Sequence, residues 1–98
     1  MNSKIFDAIS DMKLIEFSYN GKYRIVEPHA YGISKAGNDV LRAFQIKGGS
    51  ISDQNTGWKI FQVDDMTNIN ISEEIFDGPH SGYKKGDSAM VKIYTELE

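Results

Sequence analysis

The chain has 98 residues, 40% hydrophobic and 26% charged, which argues for one domain with a modest core and excludes extensive disorder. Its net charge of -3 supplies no global field for a long nucleic acid, whose affinity comes mainly from phosphate neutralisation, although a local basic patch stays open. The absence of cysteine excludes disulfides, thiolate metal sites and cysteine nucleophiles, and no apolar run nears the ~18 residues of a membrane span, so a cytoplasmic protein with no membrane partner is expected.

Ile5, Phe6, Ile9 and Met12 recur at helical spacing, with Asn2 or Ser3 placed to cap. They predict a short amphipathic helix over 3–12. "LIEFSY" alternates Ile15, Phe17 and Tyr19 against Glu16 and Ser18, a half-buried strand. Asn20-Gly21 is the hairpin signal that follows, because a type I′ turn needs positive φ at both central positions. "KYRIV" is the returning strand. Pro28, with no N–H to donate, is expected to end its ladder, and "HAYGIS" reads as a separate third strand.

"KAGN" is a turn, and "DVLRAFQIK" is the longest strand, with Val40, Arg42, Phe44 and Ile46 on one side and Leu41, Ala43 and Gln45 on the other. "GGSISDQNTG", residues 48–57, reads as a mobile polar loop. "WKIFQV" is a strand, and "MTNINIS" follows as another after a bend at Asp64-Asp65. Residues 78–87 are a loop. Asp87 is a good N-cap for "SAMVKIYTEL", where Met90, Ile93, Tyr94 and Leu97 fall at i, i+3, i+4 and i+7 and predict a C-terminal helix. The expectation is a single, mainly β domain with terminal α-helices. A small antiparallel β-barrel of five or six strands over about 13–72 carries a C-terminal loop and helix over 73–98, since closure removes exposed edges.

The order helix, "LIEFSYNGKYRIVEPHAYGI", glycine turn, "DVLRAFQ", loop and "GWKIFQVDDMTNI" resembles the WYL domain across about residues 5–71. "RIVEPHAYGI" matches that family's Arg and "VEP" element, and "WKIFQVDDM" matches its closing strand in hydrophobic pattern. Of the family's Trp-Tyr-Leu triplet only Leu41 survives, at Asp39, Val40 and Leu41, and the closing-strand arginines fall at Gln62 and Asp65. The resemblance implies an Sm-like or SH3-like barrel that serves as a regulatory module in bacterial or phage defence and transcription, sensing nucleotide-type ligands or binding single-stranded nucleic acid. With no helix-turn-helix in the chain, it implies a stand-alone domain.

Arg24 matches the Arg before "VEP", His29 follows that element, Arg42 lies just after the triplet, and Lys59 matches a basic position of the closing strand. These four are the candidate ligand-binding residues. Arginine suits phosphate because its planar fork donates two parallel charge-assisted bonds, lysine supplies a point charge, and histidine changes charge near neutral pH. Taken singly, each also reads as a solvated or paired charge opposite Glu16, Glu27, Asp39 or Asp64. Arg42 is the sharpest case, since it sits on the apolar-reading side of its strand and must be paired or face a cleft. Arg24 and Arg42 are expected to share one anion-binding groove.

Tyr23 and Tyr31 flank the basic positions as candidate stacking residues, while Phe17, Phe44 and Phe61 read as core. Trp58 reads equally as core or groove wall. "YKKGD" at 83–87 reads as a solvated turn plus helix cap, with a second reading as a rim of the same groove. His29 and His80 have no metal-ligand spacing and no glycine-framed serine accompanies them, so no catalytic residue, metal or cofactor is assigned and a non-enzymatic role is expected. The expected partner is a nucleotide-like small ligand or a short single strand. A protein-interaction module, with a protein partner or a homodimer, is the alternative.

Overall fold

A computed structural model describes residues 1–49 and 55–98. One helix and six antiparallel strands run in the order α1 (Ser3–Ser10), β1 (Lys13–Tyr19), β2 (Lys22–Ser34), β3 (Asp39–Gly48), β4 (Gly57–Gln62), β5 (Thr67–Ile75) and β6 (Met90–Glu96), with a 3-10 turn at Val63–Asp65. The Asn2 carboxamide oxygen caps α1 by accepting from the Lys4 and Ile5 amides at 2.9 and 3.2 Å. The helix stops at Ser10, short of the expected 12, and Met12 lies in the left-handed region at φ 54°. Asn20 and Gly21, at φ 52° and 74°, form the expected two-residue turn and set Tyr19 opposite Lys22.

Pro28 does not end a strand, contrary to the sequence reading. "KYRIV" and "HAYGIS" form the single strand β2, which pairs with β3 along its length. Its other edge pairs with β1 from Lys22 to Val26 and with β6 from Ala30 to Ser34. Pro28 and His29 fall between the two partners, where no N–H is asked for, and the β3 register shifts there.

The expected C-terminal helix is corrected to a strand. Asp87 still closes one turn: its carbonyl accepts from the Met90 amide at 3.1 Å and its carboxylate from the Ala89 amide at 2.9 Å. Beyond it, Val91, Ile93, Tyr94 and Thr95 favour an extended backbone, and the free edge of β2 past β1 supplies the partner. Periodicity alone cannot weigh that edge.

The expected closed barrel is corrected as well. The strand order is β4-β3-β2-β1-β5, with β6 beside β2, and the sheet does not close. Only residues 63–66 link the two end strands β4 and β5, a reach of roughly 14 Å at full extension. The sheet therefore curls strongly without pairing its ends. Its concave side and α1 hold the core, which includes Ile5, Ile9, Ile15, Phe17, Val26, Tyr31, Leu41 and Phe61. Of the predicted loop at 48–57, residues 50–54 lie outside the described residues.

Gly32 marks the closest approach of β2 and β6. A Cβ there would stand 2.1 Å from the Lys92 carbonyl oxygen and 3.0 Å from the Ile93 Cα. Gly32→Ala should cost about 2–3 kcal/mol and lower the melting temperature by roughly 10 °C. Gly37→Ala, in open space at φ 86°, should cost about 1 kcal/mol. Thermal unfolding followed by circular dichroism compares the two, and equal losses would contradict a tight β2–β6 junction.

Candidate functional site

β3 sorts its side chains between two faces. Leu41, Ala43 and Gln45 point into the core, while Arg42 and Phe44 point out and remain half-buried; Ile46, at the register shift opposite Ile25 and Val26, packs against the core. Contrary to the sequence reading, Phe44 is thus not core, whereas Phe17 and Phe61 are. On the outer face Phe44 stands opposite Trp58 of β4 with ring centroids 5.4 Å apart. Trp58 also meets His29 edge-on at 4.7 Å.

A strap, residues 77–89, covers this aromatic floor. His80 stacks on Phe44 at 3.5 Å, and its Nδ1 lies 3.0 Å from Glu27 Oε1. The Trp58 indole N–H donates to the Ser81 carbonyl at 3.1 Å. Gly82, at φ 92°, lets the strap backbone pass close by, since a Cβ there would lie 3.1 Å from Trp58 Nε1. The Tyr83 ring faces His29 at 5.1 Å, and its hydroxyl donates to the Leu97 carbonyl at 2.9 Å. Burial, with the carboxylates of Glu96, Asp87 and Glu98 nearby, pushes the Tyr83 phenol up to about 12.

Between sheet and strap lies a cleft of about 220 Å³ lined by Arg42, Trp58, Gly82, Tyr83, Lys84 and Asp87. The Trp58 and Tyr83 rings are nearly parallel, 25° apart with centroids at 6.3 Å. Arg42 donates twice to Asp87, from Nε at 2.7 Å and from a terminal nitrogen at 3.3 Å. That pair holds the Asp87 carboxyl below its ordinary range, against the opposing effect of burial. Lys84 is exposed on the rim. A larger hollow of about 400 Å³ between α1 and β6 has Glu96 and Glu98 at its edge, a poor match for an anion.

The six sequence candidates do not assemble into one groove. Arg42 lines the cleft. His29 lies beneath it, fully buried. Arg24 projects to the opposite, concave face, where it is 4% exposed. Its guanidinium donates to the Tyr19 carbonyl at 3.2 Å and to Gln45 Oε1 at 3.4 Å, and lies 5.2 and 5.6 Å from the Tyr19 and Phe61 rings. Among the described residues its Nε has no hydrogen-bond partner, and burial lowers its pKa. Arg24 and Arg42 therefore share no groove: strand alternation separates them.

Lys59 pairs with Ala43, one residue along from Trp58, on the side of β4 opposite the cleft. Tyr23 is exposed and hydrogen-bonds to Glu16. Tyr31 is buried on the concave side, donates to Asp39 at 2.8 Å and accepts from the Asn2 amide at 2.6 Å, with burial raising its pKa to about 12. Neither tyrosine is placed to stack in the cleft. The residues that are, Trp58 and Tyr83, each had one legible signal: Trp58 read equally as core or groove wall, and Tyr83 lies among aromatic and basic residues crowded between glycines in "HSGYKKGD".

Fold and site define a mainly β domain with an open, curled sheet and a strap-walled aromatic cleft beside an arginine–aspartate pair. Compared with protein-family models, curated proteins and solved structures, the chain matches none.

The Arg42–Asp87 pair sets an acid limb. Its stabilisation is present above the ordinary carboxylate pKa of 3.8 and is lost as pH falls from there through the lowered folded value. Asp87→Asn should cost about 1–2 kcal/mol at pH 7, less than a fully buried pair because the Arg42 side chain keeps 28% exposure. Urea unfolding at pH 7 and pH 3 should show the gap between the two proteins narrowing in acid. A constant gap would assign the loss to something other than the ion pair.

Proposed function

We propose that the domain is a non-enzymatic, regulatory ligand-binding module, and that its cleft takes a small, planar, anionic ligand of nucleotide kind. One observation carries the reading: two nearly parallel aromatic rings wall a cleft of about 220 Å³ that also presents Arg42 and Lys84. A base stacked on such rings gains ~1–3 kcal/mol. Lys84 supplies a point charge at the rim, and Arg42, held rigid by Asp87, offers its remaining N–H donors. The net charge of -3 favours a compact ligand over a long strand. The resemblance of "RIVEPHAYGI" to the WYL domain points the same way.

Among the described residues no strand pairs with the outer edges of β4 and β5, which favours a second reading, a protein-interaction module that adds a strand from its partner. Thermal-shift measurements against mononucleotides, cyclic nucleotides and a short oligothymidylate, each at low and moderate salt, separate the two. At 100 times its dissociation constant a bound mononucleotide adds roughly 2.7 kcal/mol of stability. Lys84→Glu should weaken that binding about tenfold or more and Trp58→Leu should abolish it, with both variants folded by circular dichroism. A flat screen, or a shift untouched by either substitution, would overturn the nucleotide reading in favour of the interaction module. Steep salt weakening confined to the oligonucleotide would point to single strands.

A further inference from the structure

The His29 imidazole is fully buried, and both of its nitrogens are engaged. Nε2 lies 2.9 Å from the His80 backbone N–H, which can only donate, so Nε2 is the acceptor. The ring proton therefore sits on Nδ1 and is donated to the Glu27 carbonyl at 2.7 Å. Hydrogen bonding alone thus assigns a neutral ring in one tautomer. A second proton, on Nε2, would set two donors head to head across 2.9 Å.

From these contacts we infer that the His29–His80 bond is a latch on the strap: protonating His29 releases residues 79–84 and opens the cleft. The use of that opening rests on the ligand reading above; the latch itself does not. Around the ring stand Trp58 at 4.7 Å, Tyr83 at 5.1 Å and Phe76 at 5.6 Å. The titratable groups facing it are Glu27 of β2 and His80 and Tyr83 of the strap, while from beyond β6 the Leu97 amide reaches only the His29 carbonyl. The Glu27 carboxylate holds His80 through Oε1, and it is the Glu27 carbonyl, not the carboxylate, that meets the His29 ring, at Nδ1. Gly78 and Gly86, both at positive φ, flank the segment that would move, and Gly82 lies within it. Its far end stays tied through Asp87 to Arg42 and through the Gly86 amide to Glu96.

Burial lowers the His29 pKa below its ordinary 6.5, against the Glu27 carbonyl and charge. The neutral ring's contribution to stability is thus fully present above that value and is lost as pH falls from it toward the folded value.

Trp58 is the sole tryptophan, and the chain has two histidines. Trp58 emission should therefore report the latch in the full chain without ligand as pH is lowered from 8 to 4.5. The expected result is a quenching transition with its midpoint below 6.5, and an about tenfold drop in the hydrogen-exchange protection of the His80 amide, with strand amides unchanged. His80→Ala keeps the backbone N–H and leaves one imidazole, so the transition should survive. His29→Gln keeps an acceptor that does not titrate, so the transition should vanish. A folded wild type with no transition, one that persists in His29→Gln, or one lost in His80→Ala would overturn the latch. If His29→Gln does not fold, the His80→Ala titration decides alone. A failed nucleotide screen leaves every one of these outcomes readable.

Discussion

Proline at position 28 has no N–H to give to a neighbour, and β2 runs straight through it. The strand tolerates this because one edge changes partner there, from β1 on one side to β6 on the other. The same interruption creates the register shift that brings His29 under the strap. Pro28 is itself buried, so moving it would disturb the core as well as the ladder. Much of the architecture follows from this point. β6 exists as a strand because β2 offers it an edge, and the strap exists because the chain must travel from β5 back to that edge.

The two faces of the sheet divide the chemistry. On the concave face, Arg24 is buried without a described carboxylate, held by a carbonyl, an amide and two aromatic rings. Gln45, also fully buried, accepts from Arg24 and donates to the Gly49 and Asn55 carbonyls at 3.1 and 3.0 Å. These two residues satisfy polar groups at an open end of the curled sheet and fix the chain where β3 ends and β4 is about to begin. On the convex face, Arg42 has a carboxylate partner and a solvent-facing cleft. Equal residue types thus do unequal work, and the one-residue parity of a strand decides which does what.

That parity was half legible. Alternation along "DVLRAFQIK" revealed two sides but not which one faced the core, because both carry apolar residues: Val40, Phe44 and Ile46 against Leu41 and Ala43. The outer side is apolar because the strap covers it, a fact set by residues 77–89 and invisible in β3 itself. Local signals were read more securely. The Asn2 cap, the Asn20-Gly21 turn and the bend at Asp64-Asp65 depend on a few adjacent residues. The C-terminal segment failed for the opposite reason. Met90, Ile93, Tyr94 and Leu97 satisfy a helical period, but Met90 and Leu97 bury equally well at the two ends of a strand, and pairing with distant β2 decides the outcome. Arg42 was rightly expected to be paired or to face a cleft; it does both, with a partner 45 residues away.

The strap's position gives the cleft its character. One wall, β3 and β4, is sheet held by paired backbone. The other wall has no regular structure and is held by side chains: His80 on Phe44 and Glu27, Ser81 on Trp58, Tyr83 on Leu97 and Asp87 on Arg42. Such a segment opens at lower free energy than the strands beneath it, because its loss exposes little core and breaks no ladder. A rigid floor and a detachable wall are what reversible capture requires, since the floor preserves ring and charge geometry while the wall admits and releases the occupant. The His80 backbone N–H also ties this wall to His29 Nε2, an acceptor that a single added proton removes, which makes this attachment the natural point for the solvent to act on the wall under the latch inferred above.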